Sequence, residues 1–100
     1  MPQPSAPSPS DSAARVLGIE GQALITLGQS LPPDFESAVR LIMNGKGRVV
    51  LSGMGKSGHI ARKIAATLSS TGTPAFFIHP AEASHGDLGM ITPDDIAIVI

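Results

Sequence analysis

An apolar run that breaks into glycines limits this chain more than any other stretch. Val49-Val50-Leu51-Ser52 is followed by Gly53-Met54-Gly55-Lys56-Ser57-Gly58-His59. The run Arg48–Ser52 is short, rich in β-branched residues and does not alternate, the pattern of a parallel strand buried on both faces. Three glycines then allow positive φ and let a ligand approach the backbone without a Cβ in the way. Ser57 reads as the N-cap of the helix after them. A helix that starts directly after a strand presents unpaired N–H groups and a positive dipole end, so Gly53, Gly55 and Ser57 are candidate contacts for an anionic substrate.

The chain beyond the loop continues the same architecture. Ile60, Ile64, Ala65 and Leu68 recur at helical spacing, with Arg62 and Lys63 directed elsewhere, so a helix is predicted over Ser57–Thr71 with Gly72 as its cap. A second apolar run, Ala75–Ile78, ends at His79-Pro80. Strand, helix and strand with short turns make a βαβ unit with parallel strands. Ala81–Asp94 is a polar loop with room for a short helical turn, and Asp95–Ile100 reads as a third buried strand. A strand apolar on both faces at a bare end would leave an exposed edge. We therefore expect a longer parent chain, or neighbours supplied by another subunit.

Upstream, Met1–Ser10 holds Pro2, Pro4, Pro7 and Pro9 among small and polar residues, and is expected to be a disordered tail. A helix capped by Asp11 should come next, through Val16, Leu17, Leu24, Leu27 and Leu31. Gly18, Gly21 and Gly28 weaken it by up to about 1 kcal/mol each. Pro32-Pro33 ends that helix, and Pro33 opens a second one running to Met43, with Phe35, Val39, Ile42 and Met43 on one face and Asn44-Gly45 as its stop. Residues 11–100 would then form one domain.

Composition excludes several function classes. The 100 residues carry a formal net charge of −1, so nothing points to nucleic acid or an anionic membrane surface. No apolar run reaches the roughly 18–20 residues of a membrane span. There is no cysteine, hence no disulfide framework or thiolate metal site. A soluble, cytoplasmic protein is expected.

Gly53, Gly55 and Gly58 satisfy the spacing of a dinucleotide-binding loop, but the acid that should close the second strand is missing: that strand reads Phe76-Phe77-Ile78-His79. Gly55-Lys56-Ser57 echoes a phosphate-binding P-loop, yet Val50 stands where that motif needs its first glycine. Lys56 is suited to holding a phosphate or stabilising an enediolate, and His59 reads as a packing or capping residue. His79, Glu82, His85 and Asp87 fall within one loop, where three roles stay open: metal ligation, proton transfer, or surface decoration.

Gly53–His59, Ser70-Thr71-Gly72-Thr73-Pro74, His79-Pro80 and Glu82–Met90 together closely resemble the arabinose 5-phosphate isomerases of the sugar isomerase (SIS) domain family. The resemblance runs from about Ala14 to Ile100. It implies a three-layer αβα sandwich with a parallel, Rossmann-like sheet, of which this chain is the part up to the third strand. It also implies interconversion of ribulose 5-phosphate and arabinose 5-phosphate through an enediol, for lipopolysaccharide synthesis, in a homo-oligomer that is a tetramer in full-length members.

Residue by residue, the resemblance marks Lys56 as catalytic, and Gly72, Thr73 and His85 as contacts to a pentose 5-phosphate. It marks His79 as a histidine able to bind zinc, although the chemistry requires no cofactor. The family's acid/base glutamates, a further histidine, its phosphate-cradling loop and its CBS modules would lie beyond Ile100, so these 100 residues alone are expected to be inactive. Two alternatives stay open, a non-catalytic SIS domain that senses sugar phosphates and an NAD-binding domain.

Overall fold

The computed structural model describes residues 2–100, which fall into two compact units, 2–35 and 36–100. In the first, α1 spans Pro9–Gln29 and buries no residue. It starts two residues before the expected Asp11. Ser8 is its N-cap and Asp11 the third helical residue, and each binds the other's backbone N–H in a capping box, while Pro9 gives up only an N–H that would have no helical partner. Pro9 and Ser10, expected in the tail, are thus helical, and Met1 lies outside the described residues. Pro33 belongs to a turn closed by the Phe35 N–H donating to Pro32 O at 3.0 Å, so α2 (Phe35–Asn44) begins after it rather than on it.

The second unit carries the sheet. Strands β1 (Val49–Ser52), β2 (Ala75–Phe77) and β3 (Ile96–Val99) are parallel, in the order β2-β1-β3. Central β1 is bonded on both sides and covered on both faces, which is why its sequence does not alternate: Val49, Val50 and Leu51 are 2%, 2% and 0% exposed. Helix α3 (Gly55–Ser70) links β1 to β2 and packs on one face of the sheet, where Val49 and Leu51 meet Ala61 and Ala65, with Ile42 of α2, Ile64 and Leu68 around them. The short helix α4 (Pro80–Ser84) and a 3-10 turn (Asp87–Met90) succeed β2 in the expected polar loop, and they flank the other face beside Val50, Ser52 and Ile78. The layers are helix, parallel sheet and helix, as expected.

Three expectations about faces are corrected. Ile60 is exposed, because the face that meets the sheet is the small-residue stripe Gly58, Ala61 and Ala65, which lets the helix come close. On α2, only Ile42 joins the core, while Val39 and Met43 stay exposed. The third strand is also not buried on both faces. Ile96 and Ile98 are half-buried, but Ala97 and Val99 are exposed, since β3 is an edge that the α4 segment leaves open.

Candidate functional site

Each turn at the carboxyl ends of the strands has a local cause. Met54, not Ser57, is the N-cap of α3; Gly55 takes φ +57° and Ser57 already sits inside the first turn. Of the three loop glycines that could take positive φ, only Gly55 does. Gly53 and Gly58 are required for space. A Cβ on Gly58 would lie 2.7 Å from Gly53 O, and one on Gly53 would lie 2.9 Å from Ile100 O.

No side chain caps α3 and no acid occupies its first turn. Its first N–H groups and its positive dipole end thus face outward without a protein counter-charge. The strand order supplies the rest of the geometry: from β1 the chain goes first to β2 on one side and then to β3 on the other. The crevice beyond the carboxyl ends of β1 and β3 is the switch point where open α/β sheets bind ligands. Lys56 lies in the first turn of α3, just beyond the carboxyl end of β1, exposed and without a side-chain hydrogen bond or ion pair among the described residues.

On the β2 side of the same end, Ser52 Oγ donates to Ile78 O at 2.6 Å and ties the two strand ends together. His79 then caps α4, its Nδ1 accepting the Ala81 N–H at 3.1 Å. That bond fixes the neutral ring with its proton on Nε2. Its ring stands edge-on to Phe77, centroids 6.4 Å apart. Gly53, Gly55, Gly58, His59, Arg62, Phe77 and His79 together wall a pocket of about 200 Å³.

Arg62 is the residue sequence reasoning passed over. Its guanidinium stacks 4.1 Å above the Phe77 ring. The signal was present in the spacing, since Gly55, His59 and Arg62 fall at i, i+4 and i+7 and so share one helix stripe.

The remaining predicted residues do not all converge. Gly72 (φ +99°) and Thr73 close the far end of α3, the Thr73 N–H donating to Leu68 O at 2.9 Å, and they precede β2 at the amino end of the sheet. The 16 residues of α3 separate them from Lys56 by about 24 Å of helix. His85 is the C-cap of α4 and exposed. His79, Glu82, His85 and Asp87 do not assemble: among the described residues no three His, Cys, Asp or Glu side chains are grouped to hold a metal ion. Taken alone, His79 fits zinc poorly, because Nδ1 is occupied by the cap and Nε2 carries the proton.

A second polar assembly lies at the amino ends of the strands. The Asp95 carboxylate accepts the Arg48 N–H at 2.7 Å, the Thr92 N–H at 2.8 Å and Arg48 Nη2 at 3.1 Å, while Arg48 Nη2 also donates to Met90 O at 2.6 Å. The backbone bonds from Thr92 and Arg48, then the Arg48 side chain, hold its carboxyl well below the usual carboxylate range against an opposing push from burial. This clamp fastens the segment returning from the site to the start of β3.

Comparison with known proteins places this geometry. The SIS domain family model matches residues 42–100. Arabinose 5-phosphate isomerase KdsD of Pseudomonas aeruginosa is 58% identical over 89 residues, which take in 89% of this chain and 27% of that protein. Arabinose 5-phosphate isomerase KpsF of Escherichia coli is 59% identical over 90 residues, 89% of this chain and 28% of its own length. The chain thus spans about a quarter of the length of these curated relatives. A solved structure, the E. coli CFT073 protein c3406 in complex with arabinose 5-phosphate, superposes with a TM-score of 0.80 at 41% identity, covering 93% of this chain and 51% of the other.

Proposed function

This chain belongs to the SIS domain family, and from that premise we propose that it forms part of a cytoplasmic isomerase interconverting D-ribulose 5-phosphate and D-arabinose 5-phosphate on the way to the eight-carbon acid sugar of lipopolysaccharide. The observation that carries the reading is the likeness, over nearly the whole chain, to a protein solved with arabinose 5-phosphate bound. The chemistry needs no organic cofactor. A proton leaves C1 of the ketose while the C2 carbonyl oxygen gains one, giving the enediol; loss of the O1 proton and protonation at C2 then give the aldose.

Negative charge grows on the carbonyl oxygen in each half-reaction. Lys56, unpaired beside the uncapped start of α3, is the group of this chain suited to stabilise it. Gly53, Gly55 and Ser57 would form the wall against which the sugar lies. Zinc at His79 would have to displace the Ala81 cap, so we assign any metal there an inhibitory role rather than a catalytic one.

Gly72 and Thr73 bear on assembly. If they touch substrate as the resemblance implies, they cannot do so in the same site as Lys56 of their own chain, since they lie at the opposite end of the sheet. We therefore place Gly72 and Thr73 in a site that a second copy completes in a homo-oligomer, with His85, which follows the carboxyl end of β2, on the Lys56 side of it. The test is conversion of ribulose 5-phosphate by the full-length protein, tracked by NMR in D2O; solvent deuterium should appear at C2 of the arabinose 5-phosphate formed. Absence of conversion would refute the assignment.

A further inference from the structure

The pocket between β1, β2 and α3 has a chemistry of its own. Its wall holds His59, Arg62 and His79 and no carboxylate. The remaining wall residues are Phe77 and three glycines, so it has no built-in partner for positive charge. At about 200 Å³ it has room for several waters of about 30 Å³ each. It shares Gly53 and Gly55 with the wall proposed for the sugar, while His59, Arg62 and Phe77 belong to it alone.

Arg62 makes the pocket more than a groove with basic residues near it. The cation–π contact, with Cζ 4.1 Å from the Phe77 centroid, holds the guanidinium at the pocket wall, and its N–H groups have no acceptor among the described residues. Arg40 and Arg48 are committed to Glu36 and Asp95, but Arg62 has no hydrogen-bond or ion-pair partner among the described residues. His79, its Nδ1 already accepting from Ala81, keeps the Nε2 proton for donation. A fixed planar cation and two imidazoles around an acid-free pocket match a tetrahedral oxyanion, which has acceptors on every side and which a carboxylate in the wall would repel.

We propose that this pocket is a seat for a phosphate-type oxyanion, with Arg62 as its permanent charge and His59 and His79 as further donors. Neither Arg62 nor His59 belongs to the site described above for the pentose, and the seat does not depend on the isomerase reading. The same chemistry is offered by free inorganic phosphate and by the phosphoryl group of a sugar phosphate.

The test is a calorimetric titration of the full-length protein with inorganic phosphate in a low-salt zwitterionic buffer. The wild type should bind saturably. Arg62→Gln and His59→Gln should each raise the dissociation constant by about tenfold or more, as loss of one charge-assisted hydrogen bond does. Lys63→Gln, one position away on α3 and outside the pocket, should leave it unchanged. Circular dichroism checks that each variant is folded, and should Arg62→Gln fail to fold, His59→Gln reads the same seat. Absence of saturable phosphate binding, or equal binding by the variants and wild type, overturns the proposal.

A second titration, of arabinose 5-phosphate into phosphate-saturated protein, identifies the source. Displacement means that the sugar's phosphoryl group uses the seat, and binding alongside means that free phosphate does. Isomerase turnover, measured separately, can fail without moving either phosphate result, so the two readings stand or fall apart.

Discussion

Gly58→Ala tests the reasoning at its tightest point. In an ordinary helix interior the change would stabilise by about 1 kcal/mol. Here the new Cβ would lie 2.7 Å from Gly53 O, a backbone atom. Gly53 has little room to recede, because its own backbone is closely packed: a Cβ added there would lie 2.9 Å from Ile100 O and 3.0 Å from Ser57 C. The whole helix start must therefore shift, at the roughly 1–3 kcal/mol typical of overpacking. Setting the gain against that cost leaves a net loss of about 1 kcal/mol, or about 4–8 °C in melting temperature for a domain of this size.

Two companion substitutions separate space from conformation. Gly55→Ala meets no atom within 4 Å, yet must hold φ +57°, and should lose about 1–2 kcal/mol for that reason alone. Gly28→Ala in α1 meets nothing within 4 Å and needs no positive φ, so it should gain about 0.5–1 kcal/mol of helix stability. Thermal unfolding by circular dichroism reads all three. A Gly58→Ala protein as stable as wild type would refute the close-approach account of that glycine.

Three further outcomes are expected. In the full-length enzyme, Lys56→Ala should lower kcat by about a hundredfold with unchanged melting, as removal of one oxyanion-stabilising group does; an unaltered kcat would remove Lys56 from the chemistry. The folded-state depression of the Asp95 carboxyl adds stability that is complete above the unfolded carboxylate's range, about pH 4, and drains away as pH falls below it. Wild type should accordingly lose more melting temperature than Asp95→Asn between about pH 5 and pH 2–3, and parallel losses would contradict the clamp. Finally, Lys56→Ala and Thr73→Ala subunits, each inactive alone, should regain activity when co-assembled if the site is shared between copies; absence of recovery counts against sharing.

The strands and α3 were legible because their signals are local. Val49–Leu51 is apolar without alternation, and only a strand covered on both faces asks for that. The Asn44-Gly45 stop sits where α2 ends, and Gly72 takes its positive φ one residue beyond Thr71, the C-cap of α3. The α1 cap was misplaced because Asp11, a good cap by residue type, stands at the third helical position and closes a capping box with Ser8, which lay in the stretch read as a tail. The exposure of Val99 could not be read from Ile96–Val99, because the cover over a strand is decided by elements elsewhere. The Arg48–Asp95 clamp joins residues 47 positions apart and carries no local signal at all.

The site was legible as a set of residues and less so as an arrangement. Lys56, His79 and Gly72-Thr73 stand in one short stretch of chain, yet a helix of 16 residues carries the last pair to the other end of the sheet. Proximity in sequence across a βαβ unit thus means separation in space for the helix's two ends and closeness for the ends of its two strands. The same rule explains Arg62. Seven residues after Gly55, it returns two turns later to the loop's side of α3 and meets Phe77 from the next strand. A basic residue on that stripe, opposite an aromatic at the end of the second strand, is therefore a signal of a held guanidinium, readable from spacing once the strand pairing is known.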